Sequence, residues 1–486
     1  MEPGGEGMVA IRERAEPAPR YAADGAWVTP VMKPTVVVAM DKSGRLDVMA
    51  EALLNGNARS PVILHALSEV NNPGLAAKAK VHLVKTDDRD EVAKIVRKIN
   101  PDFVLIGPEE PLAAGVVDEL RKFGIPSVGP TQGLAQLETS KSFTRELLTK
   151  YGIPGNPKYR IFRGPEGIAE HLQTMDSFVI KPDGLTGGKG VKVSGEHLHS
   201  IQDAVAYCAE LFKAGQAAVI IEEKLDGEEF SFQSFFDGKH IVHTIPVQDH
   251  KRARDGDTGP NTGGMGSYSC ADHLLPFLTR EHVQQAGEIN RRVGEAVSRE
   301  IGDEYKGVLY GGFMLTKDGL RVIEYNARFG DPEVMNVLPL LQTDFVAVCK
   351  AIITGTLDKL TVRFKHQATV CKYVVPEAYP GKTIDQSEIE LGAVTKLPGF
   401  GDRLRMYYAA VNEKDDRLYL TGSRALAFVG IADTLFEAEK IAEEAAALVE
   451  GPVFHRRDIG TAELIRKRVD HVRRLEGHVS HRRAAG

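Results

Sequence analysis

Only four cysteines occur in the 486 residues, Cys208, Cys270, Cys349 and Cys371, and no two have the spacing of a metal knuckle. A chain this long can stabilise itself by core burial, so reduced thiols are expected and a disulfide framework is not. Long apolar runs are missing: none approaches the roughly 20 residues needed to cross a bilayer, which argues against a membrane partner. Residues 1–33 lack the apolar core of a secretory signal and carry acidic residues foreign to a transit peptide. A disordered extension over residues 1–34 and a cytoplasmic location are therefore expected. Positive charge is not in excess either. With 61 Lys and Arg against 67 Asp and Glu the net charge is −6, which offers no general field for nucleic acid. A small phosphorylated substrate needs only a local pocket and stays open.

What is present is ordinary globular composition, 42% hydrophobic and 26% charged, at a length that suits about three domains. From Thr35 short apolar runs alternate with helical periodicity. Val36-Val37-Val38-Ala39 precedes a helical stretch carrying Leu46, Met49 and Leu53. Val92, Ile95, Val96 and Ile99 fall at i, i+3, i+4 and i+7, and Phe103-Val104-Leu105-Ile106 reads as a buried parallel strand. The alternation predicts a Rossmann-like parallel sheet with helices on both faces over residues 35–137. After Glu138 the pattern turns to hairpins, bracketing Asp237-Gly238 and Asp318-Gly319, and predicts an α+β domain over residues 138–345. A smaller α+β domain over residues 346–460 follows, with strands near 369–375 and 424–429 and a helix near 434–449. A helical, basic and frayed tail is expected over residues 461–486. The fold class is thus α/β and α+β, multidomain.

Ile323-Glu324-Tyr325-Asn326 is the most telling local run. Strand side chains alternate, so Glu324 and Asn326 project together. A carboxylate and an amide oxygen side by side suit Mg²⁺, which takes oxygen ligands and shares them with phosphates. Polar pairs at this spacing are also common on solvated strand faces. The following Arg328-Phe329-Gly330-Asp331-Pro332-Glu333 adds a guanidinium able to hold a carboxylate or acyl phosphate. Upstream, Lys181-Pro182-Asp183-Gly184-Leu185-Thr186-Gly187-Gly188-Lys189-Gly190 lets backbone amides and two lysines approach phosphates. The order of a Walker A loop is absent, so a flexible flap is expected there. Val219 to Glu223 ends an apolar strand in acids, a place for an adenine edge and a ribose, though acidic strand ends are usually just solvated.

Lysine, glycine flap, acidic strand end and Glu-x-Asn, in that order, resemble the layout of the ATP-grasp superfamily. Gln248 to Arg252, Asp257-Thr258-Gly259-Pro260-Asn261-Thr262-Gly263-Gly264-Met265-Gly266 and Asn326 to Glu333 are similar to signatures of the phosphoribosylamine–glycine ligase family. Ile106 to Leu112, Thr139 to Phe143 and Arg457 to Gly460 match the same family, so the resemblance spans residues 35–460. It implies a Rossmann-like domain, an ATP-grasp domain with a flap over residues 158–224 and a small C-terminal domain. It also implies ATP-dependent joining of glycine to 5-phospho-β-D-ribosylamine through glycyl phosphate, in purine synthesis, by a monomer or homodimer.

By this resemblance Lys141, Lys181, Gly187, Gly188 and Lys189 contact ATP phosphates, Glu222 and Leu225 line the adenine pocket, and Glu229 binds ribose. Glu324 and Asn326 hold Mg²⁺ or Mn²⁺. Arg328, Lys189 and Lys251 take the catalytic roles. Asp257, Asn261, Thr262, Gly263, Gly264, Arg328 and Asp331 face glycine and its acyl phosphate. The family's opening Gly-Gly-Arg-Glu-His-Ala turn is Met40-Asp41-Lys42-Ser43-Gly44-Arg45-Leu46-Asp47 here. Lys42, Gly44 and Arg45 are the expected phosphoribosyl ligands at a helix N-terminus. The lost Glu-His pair leaves two rivals, an ATP-grasp ligase for another amine and a non-catalytic nucleotide binder.

Overall fold

The computed structural model describes residues 20–21, 27–28, 34–56, 61–185, 190–381 and 386–483. In the leading segment Arg20–Tyr21 pairs with Trp27–Val28. The rest of the expected extension, Pro34 apart, lies outside the described residues.

Thr35–Met40 (β1), Val62–Ser68 (β2), Lys80–Leu83 (β3), Phe103–Ile106 (β4) and Ser127–Val128 (β5) form one parallel sheet in the order β3-β2-β1-β4-β5. Two helices cover its faces, Gly44–Leu54 (α1) and Arg89–Ile99 (α2). Strand alternation explains the layering: Val37 and Ala39 join the core with Leu46, Met49 and Leu53 of α1, while Val38 and Met40 pack with Val92 and Val96 of α2. Asn100 ends α2 in the left-handed conformation at φ 54°, directing the chain into Pro101.

Lys141–Lys150 (α3) then leads to Tyr159–Phe162 (β6), Phe178–Pro182 (β7), Lys192–Val193 (β8), Ile201–Lys213 (α4) and Val219–Glu223 (β9). The strands make an antiparallel sheet, β8-β7-β9-β6, with its own small core around Ile180, Cys208, Val219 and Ile221. β7 and β8 flank the glycine-rich turn as the sequence predicts. Gly187, Gly188 and Lys189 lie outside the described residues.

The central sheet is built from Gly227–Asp237 (β10), Ile241–Asp249 (β11), Gly266–Ser269, Lys306–Thr316 and Gly319–Asn326, with a two-strand ribbon inserted before Gly266. The ribbon is Arg252–Arg254 (β12) and Thr258–Asn261 (β13), after which Gly266–Ser269 is β14, Lys306–Thr316 β15 and Gly319–Asn326 β16. Arg280–Ile301 (α5) covers one face. Both predicted hairpins are present: β10–β11 turns at Gly238, φ 94°, and β15–β16 at Gly319, φ 91°.

The sheet does not stop there. Ala368–Pro376 (β17), Leu404–Tyr408 (β18) and Leu426–Ala432 (β19) extend it in the order β16-β15-β10-β11-β14-β17-β19-β18. The C-terminal part therefore shares a sheet with the central domain through β14–β17 pairing, Gly266 opposite Lys372. Strands separated by a hundred residues carry no local sign of such pairing. Leu435–Ala446 (α6) docks on β19 and β17, held by fully buried Lys372, which reaches Glu439 and Glu443 at 2.6 Å each. The expected frayed tail is a helix, Ala462–Arg483 (α7), that buries Leu464, Val472 and Leu475. All four cysteines are free, and no described helix is long and apolar enough to cross a membrane.

Candidate functional site

The end of β16 sets the centre. Tyr325 points inward, its hydroxyl donating to Asn290 Oδ1 at 3.0 Å, so Glu324 and Asn326 share the opposite face. Across the sheet β15 presents Gly312 to Glu324, where an added Cβ would lie 3.2 Å from Glu324 Cγ. The glycine leaves the carboxylate room. Burial opposes ionisation of Glu324, but Lys251, Lys181, Lys141 and Arg328 outweigh it and hold its pKa below the ordinary value. Lys251 Nζ stands 3.6 Å from both Glu324 and Glu229, and these carboxylates push its pKa up against burial. Neither Glu324 nor Asn326 has a side-chain hydrogen bond among the described residues.

Lys141 opens α3 after Ser140, whose side chain caps the helix by accepting from Phe143 N at 3.1 Å. Its ammonium donates to the Gly184 carbonyl at 2.7 Å, at the start of the glycine-rich turn, and burial lowers its pKa. Lys181 on β7 pairs with Glu222 at 2.7 Å. Glu222 ends β9 as expected, but its carboxylate is also held by Arg145, Nε to Oε1 at 2.7 Å and Nη2 to Oε2 at 3.1 Å. Burial alone would raise the pKa of Glu222; Arg145 and Lys181 bring it to about 2. That carboxylate is committed to cations, while Leu225 lies half-buried just past β9 and Glu229 is exposed on β10.

Arg145 also donates to the carbonyls of Val322 at 3.0 Å and Ile323 at 2.7 Å. It ties the four-stranded sheet of β6 to β9 to the strand that carries Glu324. Nothing in the sequence marks this arginine. Its role follows from α3 crossing β16, which no local pattern reports.

Past β16, Arg328 meets Glu138 at 2.8 Å and Glu109 at 3.1 Å and donates to the Phe329 carbonyl at 3.1 Å. The two acids diverge. Glu109 is opposed by burial but lowered by Arg328 and Arg45 to about 2, whereas burial, with repulsion from Glu109, lifts Glu138 to about 7 against the charge of Arg328. Glu109 lies in the Gly107-Pro108-Glu109-Glu110 run, which pointed to the family without assigning it a role.

The opening turn sets its two cations beside acids. Arg45 is buried, its Nε 2.5 Å from Asp41 and its Nη1 donating to the Phe329 carbonyl at 2.6 Å. Asp41 precedes the helix cap Ser43, so Arg45 in the first turn of α1 folds back onto the chain that leads into the helix. Asp41 Oδ1 also accepts from Lys42 N at 2.6 Å and Ser43 N at 2.8 Å, and Ser43 caps α1. Lys42 pairs with Glu110 at 2.9 Å. Gly44 is a packing position, where a Cβ would come within 2.6 Å of Tyr373 Oη.

The glycine-rich loop is drawn in by Arg424, which sequence reading missed. Its Nη1 donates to the carbonyls of Gly263 at 2.9 Å, Gly264 at 3.2 Å and Asp331 at 2.9 Å, and its Nη2 pairs with the Asp331 carboxylate at 3.1 Å. Tyr373 donates to Asp331 Oδ1 at 2.7 Å. Thr262 Oγ1 accepts from Gly264 N at 3.0 Å, and Gly264 adopts φ 111° against Pro332 and Asp249. Burial and the nearby Glu333 raise the Asp249 pKa well above the carboxylate range. Asn261 is exposed at the end of β13. Asp257, expected to face glycine, has both oxygens engaged, by Arg456 at 3.1 Å and Arg468 at 2.6 Å.

The chain is similar to known proteins over most of its length. Family models described as the N, ATP-grasp and C domains of phosphoribosylglycinamide synthetase match residues 35–138, 139–334 and 369–462. A phosphoribosylamine–glycine ligase of Methanocella arvoryzae is 43% identical over 442 residues, covering 91% of this chain and 100% of its own. One of Methanocaldococcus jannaschii is 47% identical over 450 residues, covering 87% and 99%. The crystal structure of phosphoribosylamine–glycine ligase from Thermotoga maritima superposes with a TM-score of 0.73 at 27% identity, covering 87% of this chain and 100% of that one. Matched in three consecutive domains and by relatives over most of its length, the chain belongs to the phosphoribosylamine–glycine ligase family.

Proposed function

We propose that this chain joins glycine to 5-phospho-β-D-ribosylamine at the expense of ATP, giving glycinamide ribonucleotide, ADP and phosphate. The observation that carries the reading is the convergence on one strand end of Glu324, Asn326, Arg328 and three lysines, beside a glycine-rich loop held against Asp331.

The chemistry asks for charge neutralisation and positioning, since a carboxylate oxygen is a poor leaving group toward an amine. A glycine carboxylate oxygen attacks the γ-phosphorus, the bond to the β,γ-bridging oxygen breaks, and ADP leaves. The ribosylamine nitrogen then attacks the glycyl carbonyl, and phosphate departs with the former carboxylate oxygen. Lys141, Lys181 and Lys189 bind the triphosphate, and Leu225 and Glu229 border the nucleoside. Lys251, held charged between Glu229 and Glu324, neutralises the transferring phosphoryl group. Arg328 and the loop at 261–264 orient glycine.

Glu324 and Asn326 fit a divalent cation: a carboxylate held ionised and, among the described residues, an amide oxygen with no hydrogen-bond partner. No cluster of three or more His, Cys, Asp or Glu able to hold a metal occurs among the described residues, so the remaining ligands are left to phosphate oxygens and water, as Mg²⁺ prefers. When bound, Mg²⁺ or Mn²⁺ neutralises phosphate charge and orients the γ-phosphate.

The acyl phosphate route is tested with glycine labelled by ¹⁸O in both carboxylate oxygens. One ¹⁸O is expected in each phosphate released and one in the product amide. Unlabelled phosphate would exclude attack by the glycine carboxylate on ATP.

A further inference from the structure

We infer that α7 is a strap fixing the loop at 257–266, with Arg468 as a positioning residue for glycine; this rests on the reading of that loop as glycine's seat. α7 begins at Ala462, where the C-domain match ends at residue 462, so almost none of the helix belongs to the matched domains. Its inward face runs Leu464, Arg468, Val472, Leu475, a helical stripe in which a cation replaces an apolar residue. A guanidinium placed there, with a side chain 16% exposed, requires partners.

It finds them on two elements. Nη2 reaches Asp257 at 2.6 Å and Nε lies 3.3 Å from Glu228 on β10. His471, nearly one turn on, reaches the same Glu228 at 2.7 Å. Asp257 turns the β12–β13 ribbon with φ 60°, a left-handed conformation that is strained for a non-glycine residue. A two-strand ribbon is marginal on its own. Support comes from the chain leading into α7. Arg456 donates to Asp257 Oδ1 and to the Arg252 carbonyl at 3.1 Å, Asp458 accepts from Gly256 N at 2.8 Å, and Asp255 accepts from Arg457 N at 3.0 Å. The ribbon continues directly into Asn261-Thr262-Gly263-Gly264. Whatever fixes Asp257 fixes the approach of that loop to Asp331 and Arg424.

Steady-state kinetics on the full chain test the strap. Arg468→Ala is expected to raise the glycine KM about tenfold, with kcat and the ATP KM within about twofold, because a displaced loop loses glycine before it loses nucleotide. Arg468→Lys, which reaches one acid but not both, restores part of the loss. Arg473→Ala, on the exposed face, leaves all three constants unchanged. Asn261→Ala reports on the loop itself. If it raises the glycine KM while Arg468→Ala and Arg468→Lys do not, the strap is wrong and the loop reading stands. If none of the three raises it, the loop reading fails and takes the strap with it. An equal rise in both KM values with a lowered Tm, in the lysine variant as well as the alanine one, reduces Arg468 to a structural residue and overturns the proposal.

Discussion

Glu324→Gln is expected to lower kcat by about 10³-fold at limiting Mg²⁺ while the protein stays folded, since a bound metal contributes several kcal/mol to stabilising a phosphoryl transition state. Gln keeps the shape and removes the charge. The side chain faces the site across from Gly312 and, among the described residues, makes no side-chain hydrogen bond. Asn326→Ala removes a neutral oxygen and should cost less, about 10- to 100-fold, with excess Mg²⁺ restoring part of the rate. The checks are kcat against Mg²⁺ concentration and Mn²⁺ affinity by electron paramagnetic resonance. Undiminished activity and Mn²⁺ binding in both variants would remove the metal from this strand.

Arg145→Met should act mainly on stability, by about 3–5 kcal/mol, the usual effect of leaving a buried partner charge uncompensated. Glu222 would retain only Lys181, and the carbonyls of Val322 and Ile323 would lose their donor. The pH dependence gives a second readout. The Glu222 pKa of about 2 is below its ordinary 4.5, so its pairing contributes stability above pH 4.5 that is lost as the pH falls toward 2. That acid-limb loss should shrink in Arg145→Met. Adding Glu222→Gln should recover part of the stability, because the stranded charge goes with it. Denaturant unfolding of the single and double variants measures both. Additive losses would mean that the pair does not act as a unit.

Local periodicity carried far in this chain. Alternation alone put Glu324 and Asn326 on one face, and the parallel sheet over β1 to β5 was legible as apolar runs between amphipathic helices. Contacts between distant segments were not. The β14–β17 pairing that joins the central and C-terminal sheets has no sequence signature, and Arg145, Glu138 and Arg424 reach the site from elements whose crossings only the fold sets. Arg45 was read by its charge and its place at a helix start; its contacts with Asp41 and with the Phe329 carbonyl, 284 residues along the chain, have no local signal. A basic turn in a sequence does not say which acid lies beneath it.

The direct test of the account is product formation with purified protein, ATP, Mg²⁺, glycine and freshly made 5-phosphoribosylamine, following ADP and the ribonucleotide together. One ADP per glycinamide ribonucleotide is expected, with no sustained ADP release when either glycine or phosphoribosylamine is left out. Turnover with glycine and another amine, but not with phosphoribosylamine, would contradict it.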